Sequence, residues 1–198
     1  MGNRKGLIIV ISGPSGVGKT TLFKKLQKVA PELKYSISYT TRKPRKNEVH
    51  SKDYFFVTED EFKQMIKSKK FLEWAIVHNN YYGTLKKFVD DTISQGKDVI
   101  LAIDVQGARK IKKIYPKNLV LIFILPPSWE ELRTRLYARA KDNLKTIKLR
   151  LQNAKKELRY ITDYDYLVIN DKITTAVKKI KEIINSVHKN KLVRKGEN

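Results

Sequence analysis

The sequence predicts an α/β protein in which a mostly parallel sheet carries helices on both faces. Three observations support this fold class. Buried apolar runs alternate with segments of helical periodicity, which is typical of parallel sheets. A glycine-rich loop joins the first apolar run to the first helix. Residues 35–95 interrupt the alternation with short strands, which predicts an inserted antiparallel lobe.

The loop at residues 13–20 reads GPSGVGKT and matches the pattern G-x-x-x-x-G-K-[ST] in full. The run LIIVI at residues 7–11 predicts the strand before it, and residues 21–28 predict the helix after it. Glycines let the backbone turn so that successive N–H groups face one anion, and the N-terminus of the following helix adds further N–H groups. The sequence therefore predicts a site for the phosphates of a nucleoside triphosphate.

Two side chains of this loop are expected to act directly. Lys19 would reach the β- and γ-phosphates, and the Thr20 hydroxyl would bind Mg²⁺. The candidate triphosphate-binding residues of this segment are Gly13, Pro14, Ser15, Gly16, Val17, Gly18, Lys19, Thr20 and Thr21. The loop alone leaves GTPases, ATPases and small-molecule kinases open.

The inserted lobe combines short strands with two helices. Alternating or aromatic residues predict strands at residues 35–39, 54–57 and 71–78, followed by a turn at 79–83. Hydrophobic periodicity predicts a helix that begins at Thr58 or Glu59, and a second helix over residues 85–95 that Gly96 ends.

The remainder of the chain returns to the alternation of buried strands and helices. Strands are expected at residues 99–104, 119–125 and 167–169, and helices at 106–114, after Ser128 and at 173–188. Ser128 and Glu131 have the spacing of a capping box. Asp104, at the end of a buried strand, is either an acid near Mg²⁺ or the N-cap of the next helix. Residues 189–198 are expected to form a frayed polar tail.

Composition limits the classes of partner and compartment. The formal net charge is +22, but lysine spread along the whole chain supplies most of it and arginine contributes only ten residues. This distribution favours solvated surfaces over specific nucleic-acid binding, which relies on arginine forks and aromatic platforms. Cysteine is absent, and the longest apolar run, residues 119–125, is too short to span a bilayer. A cytoplasmic protein with no membrane partner is expected.

A series of further motifs follows the loop in a characteristic order. It reads SYTTRKPR at residues 38–45, EV at 48–49, DY at 53–54, EWA at 73–75, YYGT at 81–84, IDVQG at 103–107 and PPS at 126–128. This series resembles the guanylate kinase family, and the resemblance runs from Leu7 to about Ile184.

The resemblance implies a P-loop nucleoside monophosphate kinase fold and transfer of the γ-phosphoryl group of ATP to GMP, and to dGMP, with Mg²⁺ as cofactor. It implies one domain with a core at residues 1–34, 97–128 and 160–198, a GMP-binding lobe at 35–96 and a helical lid at about 129–159. A monomer or weak dimer is expected.

The resemblance also implies roles for individual residues. The GMP phosphate would be bound by Arg42, Arg45, Tyr54 and Tyr82, and the guanine by Ser38, Glu73 and Thr84. Asp104 would lie near the guanine and the water shell of Mg²⁺. The lid would bring Arg135, Arg139 and Arg150 to the transferred phosphates, and the first two would also bind ATP. Asn170 would lie near the ATP base.

The chemistry of these residue types is consistent with the implied roles. An arginine fork matches the oxygens of a phosphate, and a carboxylate at Glu73 can accept from both N1–H and the N2 amino group of guanine. The alternative for Glu73 is an ordinary acid at a strand edge. The catalytic set is expected to be Lys19, Arg42, Arg135, Arg139 and Arg150.

Two other functions remain open for such a chain. One is a kinase for a different nucleoside monophosphate. The other is a non-catalytic guanylate-kinase-like module that binds phosphopeptides, although those modules typically have a degraded P-loop. The chain departs from the family pattern at four positions, Ala102, Asn47, Ser51 and Ala140, of which the last three stand where glycines are usual.

Overall fold

The computed structural model describes residues 5–77, 79–138 and 144–196. The described strands are β1 (Ile8–Ser12), β2 (Lys34–Ser36), β3 (Tyr39–Thr40), β4 (Phe55–Phe56), β5 (Phe71–Val77), β6 (Asn80–Leu85), β7 (Val99–Ala102), β8 (Leu119–Leu125) and β9 (Tyr166–Ile169). The helices are α1 (Lys19–Val29), α2 (Glu59–Lys67), α3 (Lys86–Ser94), α4 (Val105–Ile114), α5 (Trp129–Ala138), α6 (Leu144–Leu158) and α7 (Ile173–Gly196), with a short 3₁₀ turn at Ile161–Asp163.

The chain forms two compact units. The first comprises Met1–Ile11 and Glu32–Val120, and the second comprises Ser12–Pro31 and Leu121–Asn198.

Parallel strands form the core of the first unit. Its strands run in the order β2-β7-β1, with Tyr35 and Ile9 both opposite Ile100. Every residue of β1 is buried, which explains its continuous apolar sequence, because a parallel strand covered on both faces has no solvent side.

A second sheet in the same unit has the order β4-β3-β6-β5. β6 is antiparallel to both of its neighbours, β3 and β5, as expected for the inserted lobe. The short pair of β3 and β4 is parallel, so the lobe is mixed rather than purely antiparallel. A capping box at Thr58 and Glu61 begins α2, and its buried Phe62 stacks on Phe71 at 4.4 Å.

The second unit surrounds the glycine-rich loop. β8 and β9 pair in parallel, with Phe123 opposite Leu167, and five of the seven residues of β8 are buried. α7 packs on α1 and β9 through its buried face, which consists of Ala176, Val177, Ile180, Ile183 and Ile184. The Ser128 hydroxyl accepts from the Glu131 N–H at 3.0 Å at the start of α5. The predicted α/β class with parallel strands and helices is therefore confirmed.

Several expected boundaries are wrong. Residues 35–39 are not one strand, because β2 ends at Ser36 and β3 begins at Tyr39 in a different sheet. The predicted turn at 79–83 is shorter, since Asn79 takes a left-handed conformation (φ 61°) that asparagine tolerates, and β6 begins at the next residue.

Two further boundaries, the C-terminal ends of β7 and α7, also differ from the prediction. β7 ends at Ala102, before the predicted residue 104, because Asp104 caps α4. The expected frayed tail is also wrong for residues 189–196, because α7 continues to Gly196 through a stretch that is mostly lysine, leucine and arginine and contains no proline.

Candidate active site

The glycine-rich loop lies in the second unit, between β1 and α1. Gly13, Gly16 and Gly18 have φ angles of 150°, 90° and 98°, a region that side chains other than hydrogen rarely adopt. Space is also limited, since a Cβ on Gly18 would lie 2.7 Å from Asn170 Nδ2, and one on Gly16 would lie 2.8 Å from a Leu136 methyl group. The loop therefore needs glycine for its turn and for its packing.

Lys19 is the first residue of α1, and its side chain folds back over the loop. Its ammonium group donates to the carbonyl oxygen of Gly13 and, at 3.2 Å, to that of Pro14. Within α1 the first turn carries no acidic residue, and Thr20 and Thr21 are exposed. The helix end thus presents backbone N–H groups, two hydroxyls and one ammonium, which together suit an anion.

Asn170 supports this loop from the end of β9. Its side chain is 4% exposed, and Nδ2 donates to the Val17 carbonyl oxygen at 2.8 Å. Its own carbonyl oxygen accepts from Arg135 Nη1 at 3.1 Å, and Arg135 Nε donates to Glu131 Oε1 at 2.8 Å. The structure therefore places Asn170 and Arg135 together at the loop, and the contact of Asn170 with an ATP base stays a prediction.

Of the other two arginines expected in the lid, one lies within the described residues and one lies outside them. Arg150 lies on α6 and is partly buried. Arg139 lies outside the described residues, as does Ala140.

A cluster of arginine and tyrosine side chains occupies the first unit. Arg42 Nε donates to the Tyr82 hydroxyl at 3.2 Å, and its Nη2 lies 2.9 Å from both carboxylate oxygens of Glu48. Its guanidinium also lies 5.3 Å from the centre of the Tyr54 ring. Arg45 joins through its backbone N–H, which donates to Glu48 at 2.9 Å, while its side chain is 56% exposed. The structure brings the four expected phosphate-binding residues into one cluster, in which both tyrosines contact Arg42 and both arginines contact Glu48.

Electrostatics keep this cluster cationic. Burial by itself lowers the pKa of the Arg42 guanidinium, but Tyr82 and Glu48 outweigh it, so the pKa lies above its usual value. Burial, with a smaller contribution from Tyr82, raises the pKa of Tyr54, so the Tyr54 hydroxyl remains a neutral donor at pH 7. The sequence by itself predicts no role for Glu48. Its spacing of three residues from Arg45 and six from Arg42 was the signal that could have indicated its contact with both arginines.

A buried carboxylate lies on the neighbouring strands of the same unit. Glu73 on β5 is 5% exposed and sits opposite Thr84 on β6, which is 1% exposed. The Thr84 hydroxyl donates to Glu73 Oε1 at 2.6 Å. Ser38 directly precedes β3, whose first residue, Tyr39, lies opposite Gly83, the neighbour of Thr84 on β6.

Two charged groups, at the N-cap and within α4, influence this carboxylate. Burial raises the pKa of Glu73 to about 7; the Thr84 hydrogen bond opposes this, Asp104 adds to it, and Lys110 lowers it again. Asp104 is the N-cap of α4, because its Oδ1 accepts from the Gly107 N–H at 2.8 Å. Lys110 donates to the Trp74 carbonyl oxygen and lies 5.1 Å from the Trp74 ring centre.

The described residues divide their chemistry between the two units. The second unit holds the glycine-rich loop with Lys19, whereas the first holds the arginine and tyrosine cluster and the buried Glu73 carboxylate. Among the described residues no group of three or more histidine, cysteine, aspartate or glutamate side chains could hold a metal ion. No helix in the described ranges is long and apolar enough to cross a membrane.

Comparison with known proteins gives the family. A family model described as guanylate kinase matches residues 5–187. The chain belongs to the guanylate kinase family. Similar relatives include the guanylate kinase of Rickettsia typhi, 53% identical over 180 residues and covering 91% of each chain, and that of Caldanaerobacter subterraneus subsp. tengcongensis, 52% identical over 181 residues, which are 91% of this chain and 87% of the relative.

A solved structure also supports guanylate kinase membership. The guanylate kinase from Anaplasma phagocytophilum, known from a crystal structure, is 34% identical to this chain and superposes with a TM-score of 0.79. The superposition covers 92% of this chain and 86% of the Anaplasma phagocytophilum chain. The predicted family, fold class and kinase function of the chain are therefore confirmed.

Proposed function

We propose that this chain transfers the γ-phosphoryl group of ATP to GMP, and to dGMP, giving ADP and GDP or dGDP. The observation that carries the choice of acceptor is the buried Glu73–Thr84 pair, which lies in the same unit as the Arg42 cluster. Guanine presents two donors on one edge, N1–H and the N2 amino group, and a carboxylate accepts both. The N1 atom of adenine is itself an acceptor and would face Glu73 unfavourably.

The donor side of the proposal rests on the loop of the second unit. Its backbone N–H groups and Lys19 would bind the triphosphate, and Arg135, Arg139 and Arg150 would neutralise charge on the transferred group. Asn170, which holds the loop through Val17, would position it for the nucleotide. These positively charged groups suit phosphoryl transfer, which depends mainly on positioning and on neutralising the equatorial oxygens.

Thr20 fits the proposed Mg²⁺ requirement. It is the second residue of α1 and is exposed at the loop, and a hydroxyl oxygen is the hard ligand that Mg²⁺ accepts. Bound Mg²⁺ would neutralise phosphate charge. The proposed role of Asp104 near its water shell stays a prediction; in the described structure both Asp104 oxygens accept hydrogen bonds, from the Gly107 N–H and from Gln106 Nε2.

The acceptor side of the proposal uses the first unit. Arg42, Arg45, Tyr54 and Tyr82 would bind the GMP phosphate, with Glu48 orienting both arginines. Ser38, Thr84, Glu73 and Asp104 would bind the guanine. During the reaction an oxygen of the GMP phosphate forms a bond to the γ-phosphorus while the bond to the ADP oxygen breaks.

The division into parts is also a proposal. Residues 35–96 would form the GMP-binding lobe and residues of about 129–159 the lid, with the core at 1–34, 97–128 and 160–198. We further propose a cytoplasmic location, which suits a chain without cysteine, and a monomer or weak dimer.

The test of the proposed function is a coupled ADP-release assay with Mg²⁺ and ATP. GMP and dGMP should be good acceptors, whereas AMP, CMP and UMP should be poor ones. Equal rates with AMP and GMP would contradict the role of Glu73, and release of ADP from none of the acceptors would contradict the proposed reaction.

The pH dependence of GMP use is expected to report on Glu73. Because the Glu73 carboxyl has a pKa of about 7, it becomes protonated as the pH falls through that value and loses the charge that accepts from guanine. We expect kcat/KM for GMP to be about tenfold lower at pH 6 than at pH 8, since kcat/KM reports the free enzyme.

The Glu73→Gln variant is the control for this profile. It should lose this pH step but keep the smaller one due to the second ionisation of the GMP phosphate near pH 6. A wild-type profile that matches that of Glu73→Gln would contradict the prediction.

Replacing Arg42 with alanine is expected to lower kcat/KM for GMP about 10²-fold, because it removes a charged partner of the phosphate and takes from the largely buried Glu48 carboxylate the nearer of its two arginine partners. The KM for ATP should stay within about twofold of wild type, since the substitution lies outside the nucleoside triphosphate loop. Arg42→Lys should recover only part of the activity because it keeps the charge but loses the fork.

The matched control is Arg109→Ala, which removes an exposed guanidinium from α4. Comparable loss of ATP and GMP affinity in Arg42→Ala would show that the acceptor assignment is wrong.

A further inference from the structure

Gly107 lies in the first turn of α4 against the Glu73 carboxylate. A Cβ built on Gly107 would lie 2.5 Å from Glu73 Oε2, closer than real Cβ atoms approach, and 3.0 Å from Glu73 Cδ. Its φ angle is not positive, so the backbone itself would accept alanine. Glycine is therefore needed here because a Cβ would collide with one carboxylate oxygen. The Ile103 methyl group, 3.2 Å from the same Cβ, limits the space to a smaller extent.

The carboxylate cannot easily turn away from Gly107. Its other oxygen, Oε1, accepts from the Thr84 hydroxyl at 2.6 Å, and both side chains are buried between β5, β6 and α4. Moving Oε2 by the distance that a methyl group requires would tilt the carboxylate plane or break the Thr84 bond. Either change alters the direction in which the two oxygens accept.

Gly107 is also connected to the second acid of the site. Its backbone N–H donates to Asp104 Oδ1 at 2.8 Å, which fixes the Asp104 side chain as the N-cap of α4. One residue thus orients two carboxylates: Asp104 through its N–H group, and Glu73 through the absence of a side chain.

We propose that Gly107 is a positioning residue for base selection, which seats the Glu73 carboxylate at the orientation that accepts from guanine. This inference rests on the proposed function, because it takes guanine to be the group that Glu73 binds. The charged groups that face Glu73 are Asp104 and Lys110 on α4, and the polar group is Thr84 on β6. Gly107 carries no chemistry of its own and acts through Glu73.

The test is the Gly107→Ala variant, measured with both nucleotides. The KM for GMP should rise about 10- to 100-fold, because a small displacement of a positioning group has effects of that size. The kcat at saturating GMP and the KM for ATP should change little, and the preference for GMP over AMP should fall. Arg109→Ala, an exposed change two residues further along α4, should leave all of these values near wild type.

A double-mutant cycle with Glu73→Ala separates this role from general damage to the helix. Without the Glu73 side chain the added methyl group has room, so Gly107→Ala should change the KM for GMP by less than about twofold in that background. Alanine is the better helix former, so in that background the substitution should raise the Tm by about 2–4 °C, whereas in the wild-type background it should lower the Tm.

The outcomes distinguish the inference from the proposed function. If wild type phosphorylates GMP and Gly107→Ala keeps a normal KM for GMP, or if the KM rise is the same with and without Glu73, the inference is overturned and the function stands. If wild type does not use GMP, both fail. If Gly107→Ala does not fold, a folded Glu73→Ala/Gly107→Ala protein supports the inference, and an unfolded one overturns it.

Discussion

Replacing Lys19 with methionine is expected to lower kcat/KM for GMP phosphorylation by about 10³–10⁴-fold. The Lys19 ammonium lies over the loop carbonyl groups of Gly13 and Pro14, at the N-terminus of α1, where the γ-phosphoryl group would be transferred. Lys19 would neutralise the charge on that group in the transition state, so the loss of activity in Lys19→Met should appear mainly in kcat. Methionine keeps an unbranched, flexible side chain that is one atom shorter, and it removes the charge and the donors.

The measurement is steady-state ADP release at saturating ATP and GMP, together with a thermal unfolding curve. Lys28→Met, an exposed change in the last turn of the same helix, should retain full activity. If Lys19→Met keeps more than about a tenth of wild-type kcat/KM, the assignment of this loop to phosphoryl transfer is wrong.

Replacing Glu73 with glutamine is expected to reduce the preference for GMP over AMP by about 10²–10³-fold. Glutamine can still accept the Thr84 hydroxyl bond, so the strands should stay paired. However, its amide N–H₂ would face one of the guanine donors, which leaves two donors opposed in a buried site. The same amide can donate to N1 of adenine, so AMP should bind better than it does in wild type.

This prediction is tested by kcat/KM for GMP and for AMP, measured side by side at pH 8. The control is Glu59→Gln, which neutralises an exposed carboxylate in the first turn of α2. An unchanged GMP-to-AMP ratio in Glu73→Gln would mean that another group reads the base, and the proposed acceptor would then need a different explanation.

Several features of the site could be predicted because they depend on neighbouring residues. The loop at residues 13–20 is contiguous, and its glycines are required by a local backbone turn, as the φ angles of Gly16 and Gly18 show. The buried strands could also be predicted, because parallel strands covered on both faces leave continuous apolar runs. The motif series gave the family, which the family model confirms.

Other features depend on residues far apart in the sequence. Asn170 supports the loop through Val17, which is 153 residues away, and no local pattern signals such a bond. Glu48 was visible in the motif, but only the folded chain shows that it holds Arg42 and Arg45 together. The division of residues 35–40 between two sheets likewise results from strand pairing and not from the alternation of the side chains.

By itself the sequence determined the class of fold, the anion-binding loop and the residue types that suit a phosphate and a guanine base. Tertiary structure decided the state and orientation of those residues. Glu73 has a pKa near 7 because the fold buries it, and it faces a fixed direction because Thr84 holds one oxygen while Gly107 makes room for the other. Burial and contact arise only when β5, β6 and α4 are packed together, whereas a phosphate loop is built from adjacent peptide groups.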